Sequence, residues 1–327
     1  MTLPLDAPPN RLFLGVDGGG TQTRAVVVDD AGVERAAAQG DGANPHRVGA
    51  ERAVAAIAAV AAEAARRAGG RLPLTAAWLG LAGLDSPADE AALTPGLASL
   101  AAVTHLVNDA ELLLSALPAQ VGVALIAGTG SIAVGRNEAG AATRVGGWGH
   151  TLGDEGSGYA LGAAALVAAV RAADGRGEPT ILLERILSAW GLDAANQLIA
   201  RVYAGAGGGA TAPVAQVAPI VLQAARAGDA LAQGIIQRGA EELALAALTA
   251  GRQLGFGVAP LPLALGGSLL LRDAGYRETV VRAISREMAL GEVALVEWPA
   301  LSAARAAITL LAAPAAIPDT KGETHDV

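Results

Sequence analysis

One pattern occurs twice in this chain and limits what it can fold into. "LFLGVDGGGTQTRAVVVDD" (Leu12 to Asp30) is an apolar strand, a glycine–threonine turn and a second apolar strand. "GVALIAGTGSIAVGR" (Gly122 to Arg136) repeats the arrangement, with Gly128-Thr129 falling 108 positions after Gly20-Thr21. A strand on each side of the glycines makes a hairpin, and this excludes two common nucleotide loops. A P-loop needs G-x-x-x-x-G-K-[ST], and the only lysine is Lys321 near the C-terminus. The dinucleotide fingerprint needs a helix after its glycines, and here a strand follows.

Glycines without Cβ atoms let consecutive backbone amides close around an anion, and threonine hydroxyls add donors. Gly18, Gly19, Gly20, Thr21 and Thr23 therefore form one candidate phosphate turn, and Gly128, Thr129, Gly130 and Ser131 a second. A third glycine turn, Gly266-Gly267-Ser268, ends the strand in "LPLALGGSLL". With no lysine at the turns, a hydrated Mg²⁺ would have to share the charge, and Asp17 beside the glycines is the candidate to hold it.

Composition narrows the remaining chemistry. The 327 residues are 52% hydrophobic and 17% charged, enough for two domains with real cores. No cysteine is present, which removes disulfides, thiolate nucleophiles and iron–sulfur clusters. A net charge of −8 argues against a nucleic-acid partner. "MTLPLDAPPNR" lacks the features of a signal peptide, and no segment reads as a membrane span, so a cytoplasmic protein is expected.

Periodicity orders the rest. Strands are expected at Leu12–Val16, Ala25–Asp29, near Val33–Ala38, at Ala76–Leu84 and at Val103–Asp109. One helix is expected over Arg47–Ala68 and a short one over Ala110–Leu117. Later helices read as Tyr159–Ala173, Thr180–Ala189, Ala194–Tyr203, Pro213–Ala227, Ala230–Leu254 and Ala300–Ala312, with a late strand in "GEVALVEWP". "GAGGGATAP" (Gly205 to Pro213) and the tail from Pro314 read as loose segments.

Five motifs in order, "GVDGGGTQTR", "LVNDAE", "AGTGSIAVG", "GGWGHTLGDEGSGY" and "LGGS", resemble N-acetylglucosamine kinases of the BadF/BadG/BcrA/BcrD group, over about residues 11 to 313. The resemblance implies an α/β fold of two RNase H-like (actin-like ATPase) domains around an interdomain cleft, each a mixed five-stranded sheet with helices. The domains would span residues 1–118 and 119–299, the second with a larger helical part. The final helix, about residues 300–327, would pack back onto the first domain. ATP and Mg²⁺ are the implied cofactors, with Gly266, Gly267 and Ser268 at the adenosine. Homodimers are common in such a group, and a homodimer is the assembly expected by that analogy.

The resemblance gives Asp109 the role of catalytic base. Read from residues alone, Asp109 before "AELLLSAL" is also a good helix N-cap. For the sugar it implies Asn44, Asp109, Thr129, Gly147, Trp148, Gly149 and Asp154. Glu155 is left without a role, and a lone His150 reads as packing. The implied reaction is ATP-dependent phosphorylation of the 6-hydroxyl of N-acetylglucosamine. Glucosamine or N-acetylmuramic acid as acceptor, or a non-kinase nucleotide switch, are the alternatives. Redox activators of the group carry a cysteine-held cluster, and kinases of the repressor/ORF/kinase type a cysteine-rich zinc loop, so neither fits a chain without cysteine.

Overall fold

A computed structural model describes residues 11–84, 86–203 and 211–311. Most of "GAGGGATAP", the N-terminal "MTLPLDAPPN" and the tail from Pro314 lie outside them. The chain divides into two compact units. The first takes residues up to Val121, Glu138–Gly140 and the residues from Val296 on; the second takes Gly122–Asn137 and Ala141–Leu295.

The first unit opens with β1 (Phe13–Gly18), β2 (Gln22–Val28) and β3 (Glu34–Asp41). Then come α1 (Pro45–Val48), α2 (Ala50–Arg67), β4 (Leu74–Leu81), α3 (Pro87–Leu97) and β5 (Ala101–Asn108). The expected single helix from Arg47 is two helices, because Gly49 at φ 85° breaks the turn between them. Its sheet runs β3-β2-β1-β4-β5, antiparallel through the first three strands and parallel from β1 to β5.

The second unit holds β6 (Gly122–Ala127), β7 (Ser131–Arg136) and β8 (Ala142–Gly146), an edge strand that the sequence pattern did not announce. Its helices follow as α4 (Gly158–Ala173), α5 (Leu182–Trp190), α6 (Gln197–Tyr203), α7 (Thr211–Ala215), α8 (Ala218–Arg226) and α9 (Ala230–Gln253). The expected helix over Pro213–Ala227 is thus broken into α7 and α8. β9 (Leu261–Gly266), α10 (Ser268–Arg272), α11 (Ala274–Ser285) and β10 (Leu290–Leu295) complete the unit. The sheet order β8-β7-β6-β9-β10 repeats the first unit's order and strand directions.

The chain returns to the first unit with α12 (Pro299–Ala307), which ends in a 3-10 turn, Ile308–Leu311. Both faces of the first sheet are therefore covered. Leu14, Val16, Ala25 and Leu79 pack on Ile57, Ala61 and Ala64 of α2, while Phe13, Val26 and Trp78 pack on Ala300, Ala303 and Ala304 of α12. Gly15 permits the second contact: a Cβ there would lie 2.0 Å from the Ala300 carbonyl oxygen. In the second unit one large core joins β6 and β7 to α4, α8, α9 and α11. Among the described residues no helix is long and apolar enough to cross a membrane.

Candidate functional site

The glycine turns lie at strand ends, where the ladder runs out and backbone donors are left over. In the first, Gly19 N–H closes the hairpin on Gln22 O at 2.9 Å. The next two amides, Gly20 and Thr21, have no partner among the described residues. In the second, Gly128 N–H closes on Gly130 O at 2.9 Å, and the amides of Thr129 and Gly130 are left in the same way. Each turn therefore leaves two consecutive N–H groups unpaired among the described residues, donors that an anion could use.

Thr23 does not share this task. It pairs with Gly18 across the ladder, is fully buried, and its Oγ1 is closed to solvent without a partner. Alternation along β2 turns it toward the α2 core, so the hydroxyl expected at the phosphate faces inward.

Asp17 and Arg24 are cross-strand partners on the face that bears α12. Burial, followed by the nearby charge of Asp109, raises the Asp17 carboxyl to about 6, against the lowering effect of Arg24. The Arg24 guanidinium lies 3.9 Å above the Trp298 ring. Asp109 directly follows β5, beside Asn108, whose Oδ1 accepts from Ala110 N–H at 3.0 Å. The 3-10 helix that follows, Glu111–Ala116, starts at Ala110 with no side-chain cap, so the expected N-cap role falls away there. Among the described residues no three His, Cys, Asp or Glu side chains gather as a metal cage. Two repelling carboxylates at an anion-binding turn nonetheless suit a hydrated Mg²⁺ that takes its other ligands from water and phosphate.

Asn44 caps α1, its Oδ1 accepting from His46 N–H at 2.9 Å, which leaves its amide N–H₂ for a ligand. Its loop is tied to the first turn by Ala43 N–H donating to Gly19 O at 3.0 Å.

In the second unit, Gly158 and Tyr159 N–H at the start of α4 donate to the carbonyls of Gly128 and Thr129 at 2.8 and 3.1 Å. Asp154, at φ 61°, sends its carboxylate to the same turn. Oδ1 accepts from Ser131 N–H at 3.2 Å, and a Cβ on Gly130 would lie 2.8 Å from Oδ2. Ser131 Oγ donates to Glu155 O at 2.7 Å. The expected phosphate donors of Ser131 are thus engaged within the protein, one of them by the expected sugar ligand Asp154. Trp148 is 68% exposed on a turn whose neighbours Gly147 and Gly149 both have positive φ. Arg144 fixes that turn, donating to the Gly146 and Gly147 carbonyls with its guanidinium 5.4 Å from the indole. Glu155 lines a cavity of about 300 Å³ with Trp148 and Glu242. His150 is exposed and lies edge-on to Tyr159, with ring centroids 4.8 Å apart.

The third turn packs onto the second: a Cβ on Gly267 would lie 2.4 Å from Ala127 O. Gly128, Thr129 and Ser268 border an open cavity of about 470 Å³, lined also by Gln223 and Arg226 of α8 and by Arg272. Arg226 pairs with Asp273, which caps α11. These helical residues carried no motif and were missed by sequence reasoning. Their amphipathic pattern says only that one face of α8 is buried.

An N-acetylmuramic acid/N-acetylglucosamine kinase of Clostridium acetobutylicum is 38% identical over 170 residues, 51% of this chain and 55% of that one. The match thus spans about half the length of that relative. An N-acetyl-D-glucosamine kinase of Dictyostelium discoideum is 31% identical over 245 residues, 71% of this chain and 76% of the relative. The crystal structure of a candidate N-acetylglucosamine kinase from Chromobacterium violaceum superimposes with a TM-score of 0.70 at 28% identity, covering 93% of this chain and all of that one. The model of the BadF/BadG/BcrA/BcrD ATPase family matches residues 14–307, and the chain belongs to that family.

Proposed function

We propose that this protein is an ATP-dependent amino-sugar kinase that phosphorylates the 6-hydroxyl of N-acetylglucosamine. The observation that carries the reading is the pairing of a two-amide anion turn with Asp109 beside Asp17 at the same end of the first sheet. The kinase relatives support it.

On this reading, the Gly20 and Thr21 amides and those of Thr129 and Gly130 hold ATP phosphates, and the cavity at Ser268 takes the adenosine. Asp109 accepts the proton as the sugar oxygen bonds to the γ-phosphorus, and the β–γ bridging oxygen leaves with ADP. Asp17 would hold a Mg²⁺, which would supply charge neutralisation at the phosphates. Asn44, Trp148 with Gly147 and Gly149, Thr129 and Asp154 bind the sugar. Water exclusion during transfer limits wasteful hydrolysis.

The test is a coupled ADP-release screen over glucose, glucosamine, N-acetylglucosamine and N-acetylmuramic acid. ADP release with N-acetylglucosamine is expected, together with a product phosphate on O6. Release with none of the four sinks the kinase reading.

A further inference from the structure

Arg47 stands on α1, but its side chain turns back to the first glycine turn. Nη1 donates to Gly20 O at 3.0 Å and lies 3.2 Å from the place of a Gly20 Cβ. Gly20 is also the first of the two residues whose N–H groups have no partner among the described residues. The guanidinium therefore lies at the residue that opens the anion turn.

Several observations point beyond a surface strut. Arg47 is exposed, so its stem is not there to fill a core. A guanidinium has five N–H groups in a fixed fork, and the described residues engage only Nη1. The turn has no lysine, the residue that meets terminal phosphates in P-loop proteins. The tether to Gly20 O also removes much of the rotamer entropy that a free arginine would lose on meeting a phosphate.

We propose that Arg47 is the phosphate-binding cation of this site. Held by Nη1 on Gly20 O, it presents its remaining N–H groups to a phosphate oxygen of a nucleotide bound at this turn, on the side of the Gly20–Thr21 peptide away from the Thr21 N–H. The proposal rests on the nucleotide reading of the turn, and its test separates it from the kinase reading.

ATP binding without sugar is measured by titration calorimetry for the wild type, Arg47→Lys and Arg47→Met, with thermal melts for all three. Arg47→Met is expected to weaken ATP binding about 10- to 100-fold, the range for one charge-assisted hydrogen bond. Arg47→Lys is expected to recover part of that loss. In turnover assays kcat/KM for ATP should fall in parallel while the KM for sugar stays within about twofold. Guanidinium added at millimolar concentration to Arg47→Ala should restore part of the activity, which a purely structural role would not allow. ATP binding by Arg47→Met at wild-type strength overturns the proposal. So does a loss equal in Arg47→Lys and Arg47→Met that tracks a lowered melting temperature. A wild type that binds ATP but phosphorylates no sugar overturns the kinase reading alone, and one that binds no ATP overturns both.

Discussion

The two glycine turns share a sheet topology, a strand position and a pair of vacant amides, yet different side chains attend them. At the first, Arg47 donates to Gly20 O; at the second, Asp154 accepts from Ser131 N–H. Carboxylates stand near both turns, Asp17 and Asp109 at the first and Asp154 at the second, so the difference is the guanidinium on Gly20 O. A carboxylate against a phosphate turn repels the anion, unless a neutral hydroxyl or a metal ion stands between them. On the proposed reading the guanidinium favours the charged end of the nucleotide at the first turn, and Asp154 suits the sugar hydroxyls with its acceptor oxygens.

The most damaging change expected for this division of labour is Asp109→Asn. Turnover should fall about 100- to 10,000-fold, the usual contribution of a general base, with little change in the melting temperature. Near-wild-type turnover in a folded variant would remove Asp109 from the mechanism.

Next come two alanine substitutions that crowd the turns differently. Gly42→Ala places a Cβ 2.5 Å from Gly20 O, where only backbone can yield. A loss of about 3 kcal/mol in denaturant unfolding and of most activity is expected. Gly130→Ala meets the Asp154 carboxylate at 2.8 Å, and a side chain can move aside. The expected cost is about 1 kcal/mol, with a higher KM for sugar as Asp154 is displaced. Equal costs at the two sites would erase the contrast.

Asp17→Asn tests electrostatics without crowding. The folded carboxyl titrates at about 6, above the ordinary 3.8, so the native state favours the protonated form. The resulting destabilisation is absent below about pH 4, grows as pH rises toward 6, and is complete above it. In Mg²⁺-free buffer Asp17→Asn should therefore stabilise the protein by about 1–2 kcal/mol at neutral pH and by almost nothing at acid pH, and with Mg²⁺ present its activity should fall. A variant less stable than wild type at neutral pH would contradict that sign.

The smallest effect belongs to Trp148. Because it is 68% exposed, Trp148→Leu should leave thermal stability unchanged and raise the KM for sugar several-fold, a loss of about 1 kcal/mol. An unchanged KM would take the indole out of the sugar site.

Much of this was legible in the sequence because it is local. A strand, a glycine turn and a strand define a hairpin within about twenty residues, and Asp109 follows an apolar run directly. Thr23 shows where local reading stops. Both faces of the first sheet are buried, so alternation along β2 cannot say which side turns to a ligand. Arg47 lies 27 residues from the carbonyl it holds, and Gln223 and Arg226 border a cavity with Gly128 from another part of the chain. Only tertiary packing brings such pairs together, and with a single sequence no co-variation reports them. The break in α1–α2 at Gly49 was readable in principle, since a glycine after one short turn marks a stop.

Gly15 and α12 have a consequence for biosynthesis. The Ala300 carbonyl sits on the first strand of the protein, so the sheet begun at Phe13 keeps one face bare until residues 299–307 are made. A ribosome must translate the whole second unit before Phe13, Val26 and Trp78 find their cover. During that interval the nascent chain carries an exposed apolar surface, and a message truncated before Pro299 would encode a chaperone client instead of a free-standing first unit.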